Sequence, residues 1–333
     1  MTFHPDPPQP LTISVLIRTY TEKRLNYLKR TLHSITRQTL QPHEVIITVD
    51  HNRELMQSLQ QQYPDLKIIA NSRMRGSSGS LNTGIEAAVG DVIVLIDDDA
   101  VAEEDWLENL LRHYAHHDVL GVGGFIAPDW EGPVPRWLPR EFYWVIGCSY
   151  AGLPSEAATV RNLIGCNMSI RRNVFDTVGG FREGFGHSGG RPSGCEETDV
   201  CIRASQSFPE EVFLYDPEAI VHHAVPDQRT SFRYYMWRCL LEGRSKALIT
   251  RFVGTKRGLA SEAQHALRIL PMAMLRSVKE GFEGDLSGFS RAAAILVGLA
   301  ATSGSYLFFR VWLFLTGFQP DEVTMIAETQ IGG

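Results

Sequence analysis

Three consecutive carboxylates, Asp97, Asp98 and Asp99, close the apolar run Val92-Ile93-Val94-Leu95-Ile96. A short, mostly β-branched run of this kind predicts a strand buried on both faces. Three adjacent charges at its end are tolerable where the strand stops at an open edge and a divalent cation shares the charge. The ordinary alternative is a solvated acidic turn. In open α/β sheets, ligands sit beyond the carboxyl ends of the strands, which is where these aspartates fall. A second acidic pair, Glu196-Glu197, stands in Gly194-Cys195-Glu196-Glu197-Thr198-Asp199, just before an expected helix through Cys201-Ile202-Arg203. A carboxylate there can take the proton of an attacking hydroxyl. It can equally do no more than complement the helix dipole.

The elements that must position these groups alternate regularly. The expected order is a strand at 13–17, a helix at 24–38, a strand at 44–49 ending at Asp50, a helix at 54–62 and a short strand at 67–70. A Gly/Ser-rich loop at 75–80 and a helix at 81–89 lead into the acidic strand. This order implies a parallel sheet with right-handed crossovers. The parallel strands end on one side, so Thr19, Tyr20, Asp50 and Asp97 to Asp99 line one edge. Asp50 can accept the imide N–H of a pyrimidine base, or act as a helix cap. Between Arg75 and Gly84, an arginine, permissive glycines and Asn82 suit the approach of backbone to a phosphate or ribose. Farther on, residues 128–165 gather Trp130, Trp137, Phe142, Tyr143, Trp144 and Tyr150, whose faces suit sugar rings or a lipid head-group as well as an ordinary core.

The chain has 333 residues, 44% of them hydrophobic and 21% charged, ordinary figures for a globular protein with a sizeable core. Its net charge of −6 is unevenly spread, with eleven Lys/Arg against four Asp/Glu between Asp227 and Glu280. That asymmetry points to an anionic ligand or surface meeting the later part of the chain, and nothing in it suggests nucleic acid. The five cysteines form no paired or zinc-type spacing, which predicts buried thiols in a reducing compartment. The proline-rich, polar start at 4–10 does not read as a signal peptide. Residues 292–309 are uncharged and, after Arg310, the apolar pattern resumes as Val311-Trp312-Leu313-Phe314-Leu315. Behind the basic amphipathic stretch 266–282, this predicts an apolar hairpin and a monotopic anchor on an anionic membrane. A soluble helical subdomain or an oligomer interface is the competing reading.

Five segments in order carry a resemblance: ISVLIRTYTEKR, TLHSITRQTLQPHEVIITVDHN, RGSSGSLNTGIEAAVGDVIVLIDDDA, GCNMSIRRNVFDTVGGFRE and GCEETDVCIR. Together they make residues 12–225 similar to the family 2 glycosyltransferases, enzymes of the GT-A fold that use nucleotide sugars. Membrane-associated transferases acting on polyprenyl-phosphate-linked sugars resemble it most. The resemblance implies that Asp97-Asp98-Asp99 is the DXD-type motif. Asp99 then holds Mn2+ or Mg2+, and Asp97 or Asp98 faces the ribose. It places Thr19, Glu22 and Asp50 at the nucleotide-base pocket, although the family's Pro-Thr-Tyr-Asn is here Arg18-Thr19-Tyr20-Thr21. It puts Glu197 at the general-base position, with Glu where Asp is usual, so that Glu196 or Asp199 are alternatives. A histidine after the strand expected at 211–215 and the turn Asp216-Pro217 completes the metal or diphosphate site in related transferases, and the spacing favours His223 over His222. In the basic helix that follows, Arg238, Arg244 or Lys246 is the expected diphosphate clamp.

The fold implied is α/β: a GT-A catalytic domain over 1–225 and a helical, membrane-associated region over 226–333. The function implied is an inverting, metal-dependent transfer from a nucleotide sugar, UDP-linked, to a glycan or polyprenyl-linked acceptor at the cytoplasmic face of the membrane, with homo-oligomers an open option. Two other classes fit less well. A sugar-nucleotide pyrophosphorylase predicts a Gly-rich basic loop straight after the first strand, which residues 18–24 lack. A non-catalytic nucleotide-sugar-binding scaffold predicts a missing base, whereas Glu196-Glu197 is present.

Overall fold

The computed structural model describes residues 11–183 and 194–317. The expected polar start at 4–10 and the last part of the 226–333 region lie outside the described residues. The first half follows the expected alternation: β1 (Ile13–Thr19), α1 (Leu25–Thr36), β2 (Glu44–Val49), α2 (Arg53–Gln62), β3 (Lys67–Ala70), α3 (Ser77–Ala87) and β4 (Val92–Asp97). β3, β2, β1 and β4 lie side by side and parallel. Both faces of β4 are covered. Val92, Val94 and Ile96 enter one apolar cluster while Ile93 and Leu95 enter the other. A strand buried this way reads as an unbroken apolar run because neither face meets water. The Gly/Ser segment is helical from Ser77, so the loop expected to reach Ser80 is shorter; α3 is buried along Ser77 to Gly84, and tertiary packing overrides weak propensity there.

The second half is mixed. β5 (Ala100–Ala102) and α4 (Trp106–Leu111) lead to β6 (Val119–Trp130), β7 (Ala158–Val160), β8 (Asn167–Arg171), α5 (Arg172–Val178), α6 (Glu196–Ser207) and β9 (Val212–Val225). The sheet order is β3-β2-β1-β4-β8-β6-β9-β5, with β7 on β9. β8 runs antiparallel to both β4 and β6, while β6 and β9 are parallel. The turn expected at Asp216-Pro217 is instead an irregularity within β9, where the register with β6 jumps from Gly124–Asp216 to Phe125–Ile220. Proline cannot donate to a ladder, and a bulge accommodates it. The strand then continues through His222 and His223, which therefore stand on a strand and not on a loop.

Helices complete the chain: α7 (Phe232–Val253), α8 (Thr255–Gly258), α9 (Ala260–Gln264), α10 (Leu270–Phe282) and α11 (Ser287–Leu315). The expected apolar hairpin is one continuous 29-residue helix. Arg310 does not break it, because its guanidinium donates to Thr255 Oγ1 at 2.7 Å and also reaches Tyr306 Oη. α11 lies along α7: Tyr235 Oη donates to the Ala294 carbonyl at 2.7 Å, and Ser305 Oγ donates to the Leu240 carbonyl at 2.6 Å. Tyr235 also packs on Phe142 and Trp137, which ties both helices to the α/β body. The helices approach so closely at Gly243 that a Cβ there would lie 2.3 Å from the Thr302 carbonyl oxygen. Gly243→Val forces the helices apart and should cost about 1–3 kcal/mol, as overpacking does. A thermal or urea melt reads this, and an unchanged midpoint would contradict the packing described.

Candidate active site

The β1–β4 register sets Arg18 beside Asp97, and Arg18 Nη2 lies 3.0 Å from Asp97 Oδ1. Asp98 turns inward, fully buried, and meets Arg24 Nη1 at 2.6 Å, while the second amino group of Arg24 pairs with Asp99. The main chain then crosses to β9, where the Asp99 carbonyl accepts from Ala224 N at 2.9 Å and Ala100 pairs with His223. His223 Nε2 stands 3.4 Å from Asp99 Oδ1 and Arg229 Nη2 3.7 Å from Asp99 Oδ2. Asp99 Oδ1 itself is buried with no hydrogen-bond partner, so the His223 contact is one of charge. Burial pushes the Asp98 carboxyl up to about 7 against the pull of Arg24. Burial works against the Asp99 charge too, but His223 and the two arginines outweigh it and hold that carboxyl far below the usual range. For His223, burial disfavours the cation, yet Asp99 raises its pKa to about 10.

The Glu pair faces this segment across Arg18. Cys195 adopts a left-handed backbone (φ 78°), and the chain then enters α6, putting Glu196 and Glu197 in the first helical turn. Glu196 is buried; Ser77 Oγ donates to its Oε1 at 3.3 Å, and Oε2 has no partner. Glu197 is half-buried, and its carboxylate lies over Gly165, where a Cβ would come within 2.1 Å of Oε1. Glycine at 165 leaves room for the Glu197 carboxylate in this position, and a larger residue would make that carboxylate shift. Among the described residues, no other side chain donates to the Glu197 carboxylate. Burial raises Glu196 to about 8, helped by the Glu197 charge and opposed by Arg18. Burial also raises Glu197, with Arg18 again opposing.

At the β1 and β2 ends, Thr19 is buried and Asp50 accepts from Asn71 Nδ2 at 2.7 Å and from Gly76 N at 3.0 Å. Tyr20 is open to solvent, with the Arg24 guanidinium 5.8 Å from its ring centre. A cavity of about 1330 Å3 joins these strand ends to the Glu pair and runs on beneath α7, α9 and α11. Such a cavity, with convergent polar groups and perturbed carboxyls, has the character of a ligand-binding site.

Comparison with known proteins identifies the chain. The sequence pattern of glycosyl transferase family 2 matches residues 14–179. A glucosyl-dolichyl phosphate glucuronosyltransferase of Haloferax volcanii is 36% identical over 243 residues, 72% of this chain and 77% of that protein. The chain belongs to glycosyl transferase family 2. This family 2 glycosyltransferase is also 26% identical over 246 residues to the succinoglycan biosynthesis protein ExoM of Rhizobium meliloti, covering 73% of this chain and 70% of that protein. Among solved structures, a mannosyltransferase of Pyrobaculum calidifontis in complex with GDP-Man and Mn2+ superposes with a TM-score of 0.58 at 20% identity, covering 95% of this chain and 90% of that one. The fold is therefore GT-A, as the resemblance implied.

The transferase brings most of the expected residues together. Thr19, Tyr20, Asp50, Arg75, Asp97, Asp99, Glu196, Glu197, His223 and Arg238 all line the cavity. Four expectations need correction. Glu22 is exposed and outside the cavity, where it accepts from Asn52 Nδ2 at 2.9 Å. Asn82 spends both ends of its amide on the Phe181 backbone, at 2.7 and 2.8 Å, and does not reach the cavity. Asp98 lies behind its neighbours and does not face a ribose; Asp97 stands with the His223 ring instead. Asp199, the alternative base, is fully buried between Arg182 and Arg203, at 2.9 and 2.8 Å. His222 points away to Glu103 at 2.6 Å, which leaves His223 as the inward histidine. Of the expected clamps, Arg238 lines the cavity with its buried Nε unpartnered, Lys246 is tied to Glu242 and Glu262, and Arg244 lies over the Phe309 ring.

Arg18, Arg24 and Arg229 join the site without having been expected there. The signal was there for Arg18, a lone charge inside an apolar strand next to the acidic one. Because the folded state keeps the Glu196 proton up to about pH 8, this group costs stability as pH rises from its unfolded pKa to 8. Glu196→Gln cannot titrate. Its stability relative to the parent should improve by on the order of 1 kcal/mol or more between pH 4.5 and 8.5 in urea melts. A difference that does not change with pH would refute the buried, proton-holding Glu196.

Proposed function

We propose that this glycosyltransferase is inverting and metal-dependent, and moves a sugar from a UDP-linked donor to a polyprenyl-phosphate-linked acceptor. The observation that carries the reading is the convergence, in one cavity, of the Asp97 and Asp99 carboxylates, the Arg229 and Arg238 guanidiniums and the Glu197 carboxylate. Asp97, Asp99 and His223 are the residues that would hold a divalent cation. The fit is chemical: Asp99 Oδ1 is buried with no hydrogen-bond partner, and one ligand atom each from Asp97, Cys166 and His223 lie within 4.8 Å of one another. When bound, such a cation neutralises charge on a departing diphosphate.

The rest falls to the chain. Asp50 accepts the imide N–H of the uracil, and Tyr20 flanks the base. Arg229 and Arg238 face the diphosphate and donate to its oxygens. In a single displacement, the acceptor oxygen bonds to the anomeric carbon while the bond from that carbon to the diphosphate oxygen breaks. The acceptor proton passes to Glu197. Glu197 is better placed than Glu196, since it is open to the cavity and not held by Ser77. Its raised pKa keeps it a stronger base than a solvated carboxylate, which suits proton transfer from an alcohol.

The lipid-linked acceptor is supported by the glucuronosyltransferase relative and by the C-terminal helices. α11 is long and apolar enough to cross a membrane, and most of it is unburied. Leu307, Phe308, Val311, Phe314 and Leu315 are exposed on it, and Leu267, Met272, Leu275 and Phe282 are exposed on or beside α10. Arg268 is exposed beside them, while Arg276 and Lys279 are paired with Glu141 and Glu283. The packing of one face of α11 along α7 supports a helix that lies at the membrane interface rather than spanning it, on our reading at the cytoplasmic face.

Glu197→Gln should lower turnover roughly 100-fold or more while UDP affinity, read by calorimetry, stays within a few-fold; unchanged turnover would remove Glu197 from the base position. Asp99→Ala should abolish Mn2+-dependent UDP binding. A panel of nucleotide sugars should release UDP; release of GDP alone would overturn the donor assignment.

A further inference from the structure

The cation site has a neighbour that no carboxylate motif accounts for. Cys166 is the residue just before β8, and the antiparallel register that pairs Ile96 with Asn167 sets it opposite Asp97. β9 brings His223 to the same point. The Asp97 carboxylate, the Cys166 sulfur and the His223 ring then offer one ligand atom each, all within 4.8 Å of one another. All three residues face the cavity. Beside them stands Asp99 Oδ1, on a side chain more than nine-tenths buried, with no hydrogen-bond partner. Tetrahedral ligands at ordinary zinc distances are separated by roughly 3.5 Å, so closing the group around an ion needs only a small inward movement of side chains.

We infer that Cys166 is a sulfur ligand of the cation site, which therefore takes thiophilic divalent ions (Zn2+, Co2+, Cd2+) more tightly than Mg2+. The inference rests on the metal-dependent reading above and refines which ions the site prefers. An oxygen-only site favours Mg2+ and Mn2+, whereas a thiolate added to imidazole and carboxylate shifts preference toward softer ions. Binding replaces protons with the metal: one leaves Cys166 as the metal–sulfur bond forms, and a second leaves the His223 ring nitrogen that becomes a ligand. Arg18, Arg24 and Arg229 pair with the aspartates, and Arg229 Nη1 also stands 3.5 Å from His223 Nε2, so entry of the ion requires these guanidiniums to turn from the carboxylates to the donor's phosphate oxygens.

The chain contains a second thiol to control for. Cys148 Sγ lies 3.9 Å from His223 Nδ1, on the other side of the ring from the nitrogen facing Asp99. The test is optical, independent of turnover, and uses the full chain stripped of metal and titrated with Co2+ in the presence of UDP. A near-ultraviolet sulfur-to-cobalt charge-transfer band is expected in the parent and in Cys148→Ala, and not in Cys166→Ala. By competition against Mn2+, Cys166→Ala should weaken Zn2+ binding at least tenfold and change Mn2+ binding less than threefold. The parent spectrum decides even where a variant folds poorly, because bound Co2+ without the band overturns the inference. A band that survives in Cys166→Ala and disappears in Cys148→Ala overturns it as well. In both of those cases metal still binds, and the metal-dependent reading stands. Failure of the parent to bind Co2+ or Mn2+ at all would overturn both.

Discussion

Three adjacent carboxylates at the end of a strand with no exposed face set the terms for the rest of the structure. Such a strand cannot disperse its terminal charge into water, and the cost is reduced only by bringing cations to it. The fold does this from three directions. β1 supplies Arg18, the turn after it supplies Arg24, and β9 with its following turn supplies His223 and Arg229. Each carboxylate meets a different environment. Asp98 is buried to the point of holding its proton near neutrality, Asp99 is held charged, and Asp97 is shared between Arg18 and the cavity. The same Arg18 reaches toward Glu196 and Glu197 and opposes the rise of both carboxyls. One side chain thus couples the acidic strand end to the Glu196–Glu197 end of the cavity.

Much of this was legible in the sequence. β2 and β3 fall where hydrophobic pattern places them, and β4 is marked by an apolar run that only a doubly covered strand carries. The acidic run, the Glu pair and His223 stand out because charge beside apolar pattern is visible in one dimension. What was not legible depends on register and tertiary contact. Arg18 acquires a role only once β1 pairs with β4 residue by residue. Cys166 is unremarkable until the antiparallel β8 sets it across from Asp97. Asn82 looked like a ligand-facing amide, but folding turns it onto the Phe181 backbone, and Asp199 looked like a spare base until two arginines enclosed it.

The C-terminal helices illustrate the same limit from the other side. Arg310 suggested a break in an apolar segment, yet a long side chain at a helix surface can carry its charge to a polar neighbour while the helix continues. Close approach at Gly243 and the Tyr235 contacts fix α11 against α7, and α7 also carries Arg238 and Lys246 into the cavity. The exposed apolar surface of the C-terminal helices and the roof of the cavity are therefore parts of one packed unit, which suits the lipid-linked acceptor proposed above.

In the proposed function, the carboxyl end of β4 is the diphosphate end of a donor site, with Glu197 on the acceptor side. A crystal structure of the protein with UDP and Mn2+, with anomalous data collected at the manganese edge, tests it most directly. One strong anomalous peak is expected among Asp97, Asp99 and His223, with the diphosphate against Arg229 and Arg238 and the uracil at Asp50. A peak coordinated by Glu196 and Glu197, or a nucleotide bound with no metal at the aspartates, would contradict it.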